Sequence, residues 1–144
     1  MKTKLIADST CDLSQEILNR YNICLAPLVV TIEGKEYKDR IDISNDEFYK
    51  NLMTFKTYPT TSMPSPESYI ECIKGAIDQG YEKVLCICMS SGTSGSYQSA
   101  LLAKELFFEQ NPDSNIEFQV IDSVSMSHGS GWLIMKCAML IEEG

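Results

Sequence analysis

The chain has 144 residues, room for one domain with a sizeable core. Its 20 acidic residues against 12 basic ones leave a net charge of −8, which excludes a nucleic-acid partner, because phosphate contacts need clustered Lys and Arg. Apolar residues make up 44 % and charged residues 22 %, the mix of an ordinary globular domain.

Short apolar runs alternate with helical patterns along the chain. This predicts an α/β fold with an open, largely parallel sheet and helices on both faces. Lys4-Leu5-Ile6-Ala7 reads as a strand ending at Asp8, and Leu13, Ile17 and Tyr21 follow at helical spacing, with Asp12 or Ser14 as cap. The β-branched run Leu28 to Ile32 predicts a strand that turns at Glu33-Gly34 and returns through Tyr37. Ser44 and Glu47 fit a capping box before a helix carrying Phe48, Leu52 and Phe55. Ser65 caps a helix with Pro66 at its first position and Ile70, Ile73 and Ile77 as its buried stripe. Lys83 to Met89 is apolar almost throughout, as a central strand covered on both faces would be. A Ser/Gly turn leads to a helix with Tyr97, Leu101 and Phe108 on one side, and Glu117 to Ile121 is the next strand. Trp132 to Glu143 is apolar nearly all round and predicts a buried helix.

The six cysteines, Cys11, Cys24, Cys72, Cys86, Cys88 and Cys137, show no C-x-x-C pair and no neighbouring histidines. No metal site and no cofactor are therefore expected, and the thiols read as buried and free in a reducing cytoplasm. The N-terminus lacks a long apolar secretory stretch. The apolar stretch from Trp132 to Ile141 is interrupted by Lys136 and is too short to span a bilayer. A cytoplasmic protein without a membrane span is the expectation.

Three loops at the carboxyl ends of predicted parallel strands are rich in hydroxyls and acids: Asp8 to Asp12, Ser90 to Ser96, and Asp122 to His128. Open α/β sheets bind ligands in the crevice outside those strand ends. A fourth loop, Pro59 to Pro66, adds hydroxyls on a proline-stiffened backbone. The Ser90–Ser96 turn carries five hydroxyls where a helix cap needs one, and it leads into a helix N-terminus that suits an anion. No lysine follows its glycines, so it is not a triphosphate-binding P-loop. An enzyme reading also exists, a serine hydrolase using Ser94 with His128, the only histidine. Gly92-Thr93-Ser94-Gly95 nevertheless misses the G-x-S-x-G spacing of a nucleophile elbow. Asp8 and Asp12 lie four apart, not the two apart of haloacid-dehalogenase phosphatases, and read as loop ties.

Four ordered blocks carry a resemblance. They are Asp8-Ser9-Thr10-Cys11-Asp12-Leu13, Thr61-Ser62-Met63-Pro64-Ser65-Pro66, Ser90 through Ala100, and Val120-Ile121-Asp122-Ser123. Together they resemble the DegV family of bacterial fatty-acid-binding proteins, which includes the binding subunits of fatty acid kinase. The resemblance implies a non-enzymatic carrier of a long-chain fatty acid, whose carboxylate is presented to a separate fatty acid kinase. It places the carboxylate on Thr61, Ser62, Ser91, Ser94 and Gly95, with Asp8, Ser9, Asp122 and Ser123 supporting the site. Met63 stands where the family commonly has glutamine, and Thr93 where it has leucine. Family members run to roughly twice this length, so residues 1–144 match the N-terminal α/β domain. A second domain covering the lipid, with the family's basic and histidine head-group contacts, is expected outside this chain. The truncated chain is expected to self-associate through its last helix.

Overall fold

The first apolar run pairs on both sides and becomes the centre of the molecule. In the computed structural model, which describes residues 2–144, it forms β1 (Thr3–Asp8), followed by a 3₁₀ turn at Ser9–Cys11. Next come α1 (Gln15–Arg20), β2 (Cys24–Ala26), β3 (Val29–Ile32) and β4 (Lys35–Lys38). The chain continues through α2 (Asn45–Asn51), a 3₁₀ turn at Leu52–Thr54, β5 (Thr60–Ser62) and α3 (Pro66–Asp78). It ends with β6 (Lys83–Cys88), α4 (Ser96–Gln110), β7 (Glu117–Asp122) and α5 (His128–Glu143).

The four strands β2-β1-β6-β7 form a parallel sheet in that order. Alternation along β1 and β6 divides the core between its two faces. Ile6, Val84, Cys86 and Cys88 pack beneath α3 and α4 with Tyr69, Ile73, Ala103 and Phe107. Leu5, Ala7 and Ile87 pack on the other face with Leu18 of α1 and Ile134 and Ala138 of α5. Burial on both faces explains why β1 and β6 read as unbroken apolar runs.

A second, antiparallel sheet with order β4-β3-β5 projects from the first between β2 and α3. Its hairpin turns at Glu33 and Gly34 with φ of 49° and 81°, positive values at both turn positions, of which only the second is held by a glycine that accepts it without strain. Val30, Ile32 and Ile43 form its small core, with Tyr37, Phe48 and Phe55 packed against them. The hydroxyl loop expected from Pro59 to Pro66 is in part a strand, because Thr60–Ser62 pairs with β3.

Local caps follow the sequence. Ser14 Oγ accepts from Ile17 N at 3.3 Å, Ser44 Oγ from Glu47 N at 3.1 Å, and Ser65 Oγ from Ser68 N at 3.3 Å. Three expectations need correction. Ile77 is 40 % exposed, because the buried arc of α3 centres on Tyr69, Ile73 and Ala76, and Ile77 lies at its edge in the last turn. The α5 helix is only half buried: Gly131 meets the turn after β1, and Ile134 and Ala138 pack on the sheet face, while Trp132 is 58 % and Leu140 52 % exposed. Cys24 and Cys72 are not free thiols but form a disulfide between β2 and α3, with Cα atoms 6.0 Å apart. Cys11, Cys86 and Cys88 are free and buried, and Cys137 is free and half-buried.

Candidate functional site

The chain leaves β1 for β2 on one side and later reaches β6 on the other. The topological switch point therefore lies between β1 and β6, where an open α/β sheet forms its ligand crevice. Asp8 ties the two strand ends together. Its Oδ2 accepts from Met89 N at 2.7 Å, and its Oδ1 accepts from Thr10 N at 3.1 Å and from the Thr10 hydroxyl. Both carboxylate oxygens are thus engaged in holding the crevice, and the residue is 2 % exposed. The neighbouring Ser9 Oγ accepts from Leu28 N at 3.1 Å, which docks the start of the small sheet on the β1 loop.

A cleft of about 580 Å³ opens at this point. Its hydroxyl rim includes Ser9, Thr10, Thr61 and Ser127, and its apolar wall is built by Leu28, Val30, Ile43, Phe48 and Leu52. Thr61 pairs with Val30 across the small sheet, so both side chains stand on the cleft face. Asp12 and Asp39 also line it, and among the described residues of the lining there is no lysine, arginine or histidine. The apolar wall was not read as part of the site from sequence. Its signal was there in Phe48 and Leu52, four residues apart, one in α2 and the other at the start of the 3₁₀ turn that follows it.

The Ser90–Gly95 turn stands beside the cleft, not in its lining. Gly95 has no side-chain cap to offer α4 and lies under Met63, whose Sδ would stand 2.3 Å from a Cβ built at that position. Ser94 Oγ accepts from Ser96 N at 3.2 Å and lies 2.9 Å from Ser96 Oγ. When the Ser96 hydroxyl donates across that contact, the Ser94 proton is free for a ligand. Ser99 Oγ donates to Pro64 O at 2.6 Å, which clamps the loop after Ser62 and Met63 to α4. Ser62 neighbours Thr61 on β5 and alternates to the opposite face, exposed.

Asp122, at the end of β7, braces the turn from outside. Its Oδ1 accepts from Ser91 N at 3.2 Å and from Val124 N at 2.9 Å. The Ser91 side chain first, then these amides, hold its carboxyl below the usual aspartate range. Ser123 Oγ accepts from Ser125 N at 3.2 Å, and Ser125 O accepts from Ser90 N at 2.8 Å, so the β6 and β7 loops are laced together. Asp8, Ser9, Asp122 and Ser123 thus each accept from a loop amide, and Ser9 also lines the cleft. His128 is exposed, with Nδ1 3.1 Å from Ser127 Oγ, while Ser127 donates to Asp12. Among the described residues no hydrogen bond joins His128 to Ser94, and no cluster of His, Cys, Asp or Glu is arranged to hold a metal ion. No helix among them is long and apolar enough to cross a membrane.

The family model of the DegV proteins, described as uncharacterised, matches residues 2–144. The chain belongs to the DegV family. A DegV domain-containing protein of Clostridium acetobutylicum is 38 % identical over 99 % of this chain and 49 % of its own length. Among solved structures, a stearic acid-binding protein from Eubacterium ventriosum is 37 % identical with a TM-score of 0.90, matching all of this chain and 48 % of that one. The Streptococcus pneumoniae fatty acid kinase B3 protein, loaded with linoleic acid, is 25 % identical with a TM-score of 0.80, over all of this chain and 50 % of its own. The DegV chain described here thus spans about half the length of the relatives it matches.

Proposed function

We propose that this DegV chain is the head-group half of a carrier for a long-chain fatty acid, which it presents to a separate fatty acid kinase in the cytoplasm. The observation that carries the reading is the junction at the switch point, where neutral hydroxyl donors meet an apolar wall within a fold shared at a TM-score of 0.90 with a stearic acid-binding protein. Thr61 donates to the carboxylate from the cleft and Ser94 from the turn beside it, with Ser91 and the Gly95 backbone as neighbours at the N-terminus of α4, while Ser62 stands on the other face of β5. Hydrogen bonds to a charged group are worth about 1.5–3 kcal/mol each, so two or three orient the head without supplying most of the affinity. Each buried methylene adds about 0.8 kcal/mol, so the apolar wall and whatever closes over it supply the larger share.

Asp12 and Asp39 in the lining give a carboxylate no counter-charge. A second domain, in the other half of the length that relatives have, supplies the cationic contact and the remaining tunnel wall. Among the described residues Ser94 has no histidine partner and the Asp8 carboxylate is engaged by Thr10 and Met89, which supports a carrier over the serine-hydrolase reading. Native mass spectrometry of the full-length protein after mild purification tests the reading. A bound long-chain fatty acid is expected, and purely apo protein overturns it.

A further inference from the structure

The small sheet and α2 form an insert that leaves the main body after β2 and returns at α3, and the Cys24–Cys72 bond joins these two stems. The closed loop, with a sequence separation of 48, contains Leu28, Val30, Ile43, Phe48 and Leu52 of the apolar wall together with Thr61. The insert has little else to hold it. Its core is three buried residues and α2 buries none, while its polar ties to the body, Leu28 N to Ser9 Oγ and Ser99 Oγ to Pro64 O, lie at the same stems.

We propose that Cys24–Cys72 is a thiol–disulfide switch that sets how freely this flap opens over the cleft. In the oxidising direction both thiols lose their protons, one S–S bond forms within the protein, and a low-molecular-weight disulfide such as oxidised glutathione takes up the two electrons and becomes two thiols. A dithiol reverses the step. The Cα separation of 6.0 Å lies within the range that a disulfide spans without moving the backbone. A small surface cleft of about 220 Å³ reaches both cysteines, which gives a small thiol a path to the bond, and its charged lining is mixed, with Lys4 and Lys38 against Glu71. Cys72 is itself only 6 % exposed, so exchange enters through the half-buried Cys24. Of the free thiols, Cys11, Cys86 and Cys88 are buried, Cys137 is half-buried, and burial pushes the Cys11, Cys86 and Cys137 thiols above their usual range. A cytoplasmic disulfide is more often redox-sensing than structural, which fits a bond placed at a hinge.

The switch itself rests on the two stems, while its effect on fatty-acid exchange rests on the function proposed above. The test equilibrates the full-length protein with mixtures of reduced and oxidised glutathione, then maps thiols by alkylation and amide exchange by mass spectrometry. The bond is expected to open and close reversibly in the folded protein. Reduction should raise exchange across residues 29–62 by roughly tenfold or more while β1 and β6 keep their protection. Cys24→Ala should show the reduced pattern in every mixture. A bond that persists in excess dithiothreitol until the protein unfolds overturns the proposal, as does unchanged exchange across the insert after reduction. Release of bound fatty acid, followed in parallel, should quicken on reduction. If no fatty acid is bound but the insert still responds, the function fails and the switch stands.

Discussion

Gly131→Ala probes the seat of α5 on the β1 loop, and two opposing effects decide its sign. Alanine is favoured over glycine inside a helix by about 0.8–1.0 kcal/mol. Against this, a Cβ at Gly131 would stand 2.2 Å from the Cys11 carbonyl oxygen and 3.4 Å from Leu13 Cδ2. The neighbour is backbone, and it is held in place: Cys11 closes the turn that Asp8 caps through Thr10, and Ser9 in that turn binds Leu28 N. Relief therefore requires α5 to move outward by about 1 Å, at an overpacking cost of roughly 1–3 kcal/mol. The steric term wins over most of its range, and a net loss of up to about 2 kcal/mol is expected, or a Tm lower by up to roughly 8 °C for a domain of this size. Gly75→Ala in α3 is the control, since nothing lies within 4 Å of its Cβ position. It should gain about 0.5–1 kcal/mol. Urea unfolding of both variants and the parent measures the pair. If Gly131→Ala unfolds at or above the parent midpoint, the close approach of α5 to Cys11 is not what positions this helix.

Ser94→Ala and Thr61→Ala should each weaken fatty-acid binding in the full-length protein by about 1–3 kcal/mol by calorimetry, and unchanged affinity in the double variant would move the head group elsewhere. Ser94→Ala alone should also cost about 1 kcal/mol of stability, because it removes the oxygen that accepts from Ser96 N. Asp122 has its folded pKa depressed, so its contribution is full above the ordinary aspartate value near 3.9 and lost as pH falls through the folded value. An NMR titration should place its midpoint below that value, with the Ser91 and Val124 amides loosening on the same curve, and a midpoint at or above it would refute the bracing role. A fluorophosphonate probe should leave Ser94 unlabelled, and labelling that His128→Ala abolishes would restore the hydrolase reading.

What the sequence discloses and what it hides divides along the range of the interactions. Ser14, Ser44 and Ser65 were readable as caps because each acts on an amide three residues ahead. The central strands were readable because burial on both faces leaves no polar alternation in Leu5 to Ala7 or Val84 to Cys88. The Ser90–Ser96 turn stood out by its surplus of hydroxyls. The β5 strand did not, since Thr60, Thr61 and Ser62 are all exposed and only pairing with β3 makes them a strand. Phe48 and Leu52 read only as apolar positions of a helix, yet both line the cleft, because α2 packs Phe48 on the small core of Val30, Ile32 and Ile43 at the edge of the crevice. Cys24 and Cys72 carry no local signal of their bond, which depends on how β2 and α3 pack.

The apolar character of α5 was correctly read from sequence, but its burial was not, and that difference makes a prediction. Trp132, Leu133, Met139, Leu140 and Ile141 are 36–58 % exposed, and most of them lie along the side of the helix turned away from Ile134 and Ala138. Together they expose on the order of 400 Å², within the range of the largest patch found on an ordinary monomer. At about 25 cal/mol per Å², covering all of it gains roughly 10 kcal/mol. A second copy seated on it would bury about 800 Å² counting both chains, below the roughly 1,200–2,000 Å² of a stable specific interface, and association costs about 4–15 kcal/mol, so a dimer held by this patch alone should be weak. A domain on the same chain does not bear that cost, and the patch suits such a cover far better than a dimer. Residues 1–144 made alone should therefore bind a hydrophobic dye strongly and self-associate weakly in sedimentation, with Trp132→Lys reducing both. A monomer that ignores the dye at every concentration would show that α5 needs no cover, and the inference of a covering domain from this helix would fall.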